Sequence, residues 1–185
     1  MQSTCGSANT RMLKYWTNNY HHLAMSTRLF TICFAFFLIP AIDFTQDSLP
    51  PVNRAILSCV KTTIGKKVGR GECWDLANLA LNQAGANWDH KMTFGKQIMP
   101  DKSPVLPGDI IQFSGVRLKH IENGQVIIEN MQHHTAVVYS VIEPGVYEMA
   151  QQNTGGRNGK KVSLTRLTLK YLIKGQIKFY RPQAI

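Results

Sequence analysis

The sequence predicts an α+β domain, with two helices first and then an antiparallel sheet of about five to six strands. Three observations predict it. Apolar residues recur at helical spacing between Pro50 and Gly85. From Pro107 onward, short β-rich runs are separated by Gly and Asn turns. Hydrophobic residues make up 44% of the 185 and charged residues only 17%, enough to build one core and too apolar for a disordered chain. Helices followed by consecutive strands favour α+β over alternating βαβ units.

The first 43 residues are set apart from this domain, which is expected over 44–185. Leu29–Ile39 reads "LFTICFAFFLI", eleven uncharged residues between Arg28 and Pro40. A helix of that length spans about 16 Å, roughly half a bilayer core. It suits the apolar region of a signal peptide. Met25 opens "MSTRLF" and offers a second possible start, with cleavage expected between about Ala41 and Gln46. The expected location is secreted or periplasmic, with membrane contact only through this segment. A retained anchor is the alternative.

The elements follow in order. Val52, Ala55, Ile56, Cys59, Val60 and Ile64 place a helix on Pro50–Ile64 with Cys59 toward the core. "GKKVGRGE" is a loop. Cys73, Leu76, Ala77, Ala80, Leu81 and Ala84 place a second helix that stops at Gly85. Residues 88–104 read as a loop with one short turn. Strands are expected at "PGDIIQF", "GQVIIEN", "HTAVVYSV", "VYEMAQQN", "VSLTRLTL" and "IKFYRP".

One thiol stands where chemistry is possible. Cys73 opens the second helix, directly after "GRGE". Unpaired N–H groups and the helix dipole favour a thiolate there. Gly71 frees the backbone to approach, and N–H groups beside it are placed to hold an oxyanion. Trp74 is placed at the substrate-binding edge, with packing as its other reading. Asp75 is read as a first-turn charge. A Cys59–Cys73 disulfide is the alternative use of the thiol in an oxidising compartment.

The base is expected to be His134. Alternation puts it on one strand face with Ala136, which leaves room beside the ring. The turn at Glu143–Gly145 folds the next strand back, so Asn153 lands near His134 and Gln151 shares its face. Asn153 is the expected orienting acceptor and Gln151 a secondary one, with a simple turn residue as the alternative for Asn153. A metal site at His133–His134 lacks further ligands at suitable spacing. No metal or other cofactor is expected.

"GECWDLA", "PGDIIQF", "HHTAVV" and "QQNTGG", in that order, resemble the blocks of the CHAP and NlpC-type thiol hydrolases. The resemblance covers roughly Gly69–Pro182. It implies a circumscribed papain-like fold, with Cys73 as nucleophile, His134 as base and Asn153 as orienting residue. CHAP domains usually carry Glu-x-Asn where this chain has Gln151 and Asn153. The activity implied is amide hydrolysis in peptidoglycan or a related peptide, by a monomer. The net charge of +10 suits an anionic polymer. Nucleic acid is not expected, since the cations are scattered and no zinc spacing appears. An interaction module on the same fold is the alternative.

Overall fold

The computed structural model describes residues 48–155 and 159–185. Met25, the apolar run Leu29–Ile39 and the cleavage region lie outside them. Among the described residues, no helix is long and apolar enough to cross a membrane.

Helix α1 covers Pro51–Thr63 and starts on a proline, whose fixed φ suits the first turn. Helix α2 covers Cys73–Gln83. The strands are β1 Ala86–Asn87, β2 Lys96–Ile98, β3 Ile110–Glu122, β4 Gln125–Glu143, β5 Val146–Gln151, β6 Ser163–Thr168, β7 Leu172–Arg181 and β8 Gln183–Ala184. Six of them form one sheet in the order β2-β7-β3-β4-β5-β6, every pair antiparallel. β1 and β8 pair by themselves. The expected α+β class therefore stands.

Two expected strands are one. "GQVIIEN" and "HTAVVYSV" belong to the single 19-residue strand β4. The run Asn130–His133, polar but for Met131, looks like a break, yet it holds no Gly or Pro, and its polar side chains lie on the exposed stretch of the strand. β3 likewise runs past Gly115 to Glu122, and Asn123 and Gly124, both at positive φ, close the hairpin. β2 lies inside the segment read as loop.

The sheet buries both faces. On one, Ile56, Val60, Leu76, Ala77, Ala80 and Leu81 of the helices meet Ile110, Val137 and Ala150. The small Ala77 and Ala80 let α2 lie close to the strands. On the other, Ile111, Phe113, Ala136, Val138, Met149 and Phe179 form a second core. Asp109 ties these layers together. Fully buried, it accepts from Asn53 Nδ2 and the Leu106 amide at 2.9 Å each, and from Arg181 Nε and Nη2 at 3.1 and 2.9 Å. Burial pushes its carboxyl pKa up, and Arg181 pulls it back. Gly108 beside it has φ +86°, and a Cβ there would meet the Asn53 carbonyl at 2.6 Å, so α1 packs against bare backbone.

Candidate active site

The thiol stands where the helix pattern put it. Cys73 is the first residue of α2, partly exposed, and neither it nor Cys59 forms a disulfide. The loop before it is held by side chains. Asp75, nearly buried, accepts from the Arg70 and Glu72 amides at 2.8 and 3.1 Å. This returns the loop onto the helix start, a capping arrangement. Gln152, fully buried, accepts from the Val68 amide at 3.2 Å and donates to the Val68 and Glu72 carbonyls at 3.1 and 2.7 Å. Sequence reasoning places Asp75 as a first-turn charge but does not reach its bond to the Arg70 amide, and it misses Gln152. An acid three residues after the cap was the signal for Asp75; Gln152 left none beyond its place beside Gln151.

One expected role is corrected on this side, and Trp74 shows the contacts of its packing reading. The Gly71 amide donates to the Val68 carbonyl at 2.9 Å, so it is committed to the turn and not free for an oxyanion. That accounting leaves the amides of Cys73 and Trp74 as the donors at the helix start. Trp74 packs. Its indole N–H donates to the Lys91 carbonyl at 2.9 Å and its ring lies 5.7 Å from Trp88.

The imidazole is held by Gln151, the acceptor expected as secondary, and not by Asn153. His134 Nε2 lies 2.6 Å from Gln151 Oε1, and both residues are buried. Gln151 Nε2 donates to Thr165 Oγ1 at 2.6 Å, which fixes the amide. With the carbonyl oxygen as acceptor, Nε2 carries the proton and Nδ1 is the free base. Burial lowers the His134 pKa, and the Gln151 bond pulls it partly back up, so the ring is neutral near pH 7.

Register explains the exchange. Val137 pairs with Ala150, which sets residue 153 opposite His134 and residue 151 opposite Ala136. β5 ends at Gln151, however, and Asn153 turns to φ +67°. Its Nδ2 then donates to Glu72 Oε2 at 2.8 Å, while Lys160 Nζ pairs with the other oxygen, Oε1, at 2.6 Å. Gln151 is long enough to reach diagonally across the small Ala136 to the ring.

Three consecutive residues divide their bonds between the strand that carries His134 and the loop that precedes Cys73. Gln151 holds the imidazole, while Gln152 and Asn153 hold Glu72, the residue before the thiol. No hydrogen bond joins Cys73 to His134 among the described residues. A half-open groove of about 400 Å³ runs along 129–134 on one side and Gln151, Asn153 and Thr154 on the other. Among the described residues no cluster of His, Cys, Asp and Glu could hold a metal ion.

A thiol on a helix start, and a histidine on a strand oriented by a neutral amide, define a domain of papain-like cysteine proteinase fold. Residues 51–184 match the model of the AIM3/BBC1 cysteine proteinase-fold domain, and the chain belongs to that family. It is 28% identical over 162 residues to the altered inheritance of mitochondria protein 3 of Debaryomyces hansenii. That match takes in 78% of this chain but 17% of the relative, so the chain corresponds to a small part of a much longer protein. Two solved structures show a partial likeness to the chain. The crystal structure of Ly7917 has a TM-score of 0.42 at 18% identity, over 69% of this chain and 62% of the other. Ly7917 with the hydrolyzing product of MDP has a TM-score of 0.46 at 17% identity, over 70% and 62%.

Proposed function

We propose that the domain is a thiol hydrolase acting on an amide bond of a peptide-like substrate. Cys73 is the nucleophile, His134 the base through Nδ1, and Gln151 the residue that orients it. The observation that carries this reading is the buried 2.6 Å bond between His134 and Gln151, one residue along from the Gln152 bonds to the loop that presents Cys73. The thiol gives its proton to Nδ1 and attacks the carbonyl; His134 then protonates the leaving amine, and water releases the acyl group. Placement within the CHAP and NlpC-type branch, peptidoglycan as the polymer, and export through Leu29–Ile39 are parts of the same proposal. Incubation of the full chain with peptidoglycan fragments and with unfolded polypeptide, followed by mass analysis, tests it. New amines that appear with wild type and not with Cys73→Ala support hydrolysis; equal product from both overturns it. N-terminal sequencing of the mature chain tests export, and a chain that still carries Phe34–Phe37 overturns the cleavage.

A second reading, an interaction module without turnover, is supported by the neutral Gln151 in place of a carboxylate and by the missing Cys73–His134 hydrogen bond. It predicts binding of a partner that Cys73→Ala leaves unchanged, with no new amine from any substrate.

A further inference from the structure

β4 pairs with β3 along Gln125–Val137, but its pairing with β5 begins only at Val137. Between Gln125 and Ala136, one edge of β4 therefore has no strand partner among the described residues. The direction of its backbone groups can be worked out. The Val138 amide donates to the Asp109 carbonyl at 2.8 Å, and the Val138 carbonyl accepts from Gly108 at 2.7 Å, so both point toward β3. That direction does not carry past Gly115: Gly115 and Gln132 do not pair, and the core-facing residues of β3 switch from Ile111 and Phe113 to Val116 and Leu118. At the tip Glu122 and Gln125 flank a two-residue turn and exchange main-chain hydrogen bonds, so Gln125, Ile127 and Glu129 point toward β3 and the amides and carbonyls of Val126, Ile128 and Asn130 face the free edge. Asn130 lines the groove that ends at Gln151 and Thr154.

The outer face of this arm carries a second, independent feature. Ile121, Val126 and Ile128 are 72%, 56% and 51% exposed. Ile121 lies opposite Val126 and Lys119 opposite Ile128. Arg117 lies between Asn130 on β4 and Lys174 on β7, and Arg117, Lys119 and Lys174 are all exposed. An aliphatic row is thus flanked by three cations. The acid Glu129 lies on the opposite face, 4.0 Å from His120.

We propose that the free edge of β4 takes up an extended segment of a partner polypeptide as an added strand, with aliphatic and acidic side chains set over the outer face of the arm. The edge supplies main-chain hydrogen bonds and so selects an extended peptide. The outer face supplies cross-strand contacts to β-branched side chains and complementary charge. A lipid surface would use the cations but has no use for a row of backbone donors and acceptors. The binding needs no thiol chemistry and stands or falls apart from the hydrolase reading.

The test uses the full chain and a dye-labelled acetyl-Ile-Thr-Glu-Thr-Ile-Thr-Glu-amide peptide, whose Ile and Glu side chains share one face when extended, read by fluorescence anisotropy. Saturable binding is expected, unchanged in Cys73→Ala. Asn130→Pro removes an edge donor that β3 does not use, and should weaken binding about tenfold or more. N-methylation of alternate peptide amides should do the same with no change to the protein. Lys119→Glu should weaken binding and flatten its salt dependence. Four results overturn the proposal: no saturable binding, equal binding of the N-methylated peptide, attachment to phosphatidylserine vesicles that Asn130→Pro leaves intact, or a self-dimer on sedimentation that the peptide does not displace.

Discussion

The two walls of the site are built by different means. On the helix wall, side chains grip backbone: Asp75 takes two loop amides, and Gln152 takes an amide and two carbonyls. On the strand wall, side chain grips side chain, from His134 to Gln151 to Thr165. Backbone grips set where Cys73 stands, and their loss leaves buried main-chain groups unpaired. The side-chain relay sets how one ring is turned and which nitrogen is free. Damage to the first wall should therefore show in stability, and damage to the second in the pH dependence of turnover.

The largest effect is expected from the groups that react. Cys73→Ala should lower turnover by on the order of 10⁴-fold or more, with an unchanged circular dichroism spectrum. His134→Ala should lower it similarly, and the double variant should be no worse than the worse single one, because the pair acts as a unit. Additive losses would separate the two walls into independent contributions and break the account.

Gln152→Ala comes next and sharpens the contrast. It strips partners from the Val68 amide and carbonyl and from the Glu72 carbonyl, and should cost about 2–4 kcal/mol of stability. Gln151→Ala should cost far less stability but about 10–100-fold in turnover, as a group that orients the base. A thermal melt and a rate on each variant check the pair. If Gln151→Ala melts early while Gln152→Ala does not, the assignment of walls is reversed.

Gln151→Glu tests the relay through charge. An anion beside Nε2 raises the His134 pKa and favours the protonated ring. The acid limb of the pH–rate profile should move to higher pH, and NMR titration of the imidazole should move with it. Stability carries the opposite signature in wild type. Burial holds the folded pKa of His134 below its ordinary value of 6.5, so the unfolded chain binds the proton more readily. His134 therefore supports stability above about pH 6.5, and that support is lost as pH falls through the window below it. His134→Phe should remove this part of the acid sensitivity; melts between pH 7 and pH 5 measure it.

The smallest effect belongs to Asn153. Its side chain makes one exposed bond to Glu72, worth about 1 kcal/mol or less. Its positive φ suits Asn and Gly, so Asn153→Gly should be nearly silent and Asn153→Ala slightly destabilising. Loss of turnover in Asn153→Gly matching that of Gln151→Ala would restore the orienting role expected of it.

The helices were legible because their signals are local. Apolar spacing and the glycines placed the start of α2 at the thiol and its end within two residues. The histidine and its strand were legible from alternation, and the Glu143–Gly145 turn gave the right partner strand. What failed depended on where β5 stops. Counting register alone leads to Asn153, whereas the chain leaves the sheet after Gln151, and no local pattern marks that exit before Thr154-Gly155. Gly71 failed for a related reason. Its positive φ was readable, but the Val68 carbonyl that takes its amide is a property of the closed turn. The union of two strands into β4 was hidden because a polar, exposed strand segment carries neither alternation nor a turn residue.

The central claim is that Cys73 reacts with the help of His134. Alkylation by iodoacetamide, read residue by residue by mass spectrometry, tests it most directly. At pH 7 the account predicts that Cys73 labels much faster than the buried Cys59, and that His134→Ala slows Cys73 at least about tenfold, since the base that takes its proton is gone. Equal labelling of Cys73 in wild type and in folded His134→Ala would contradict it.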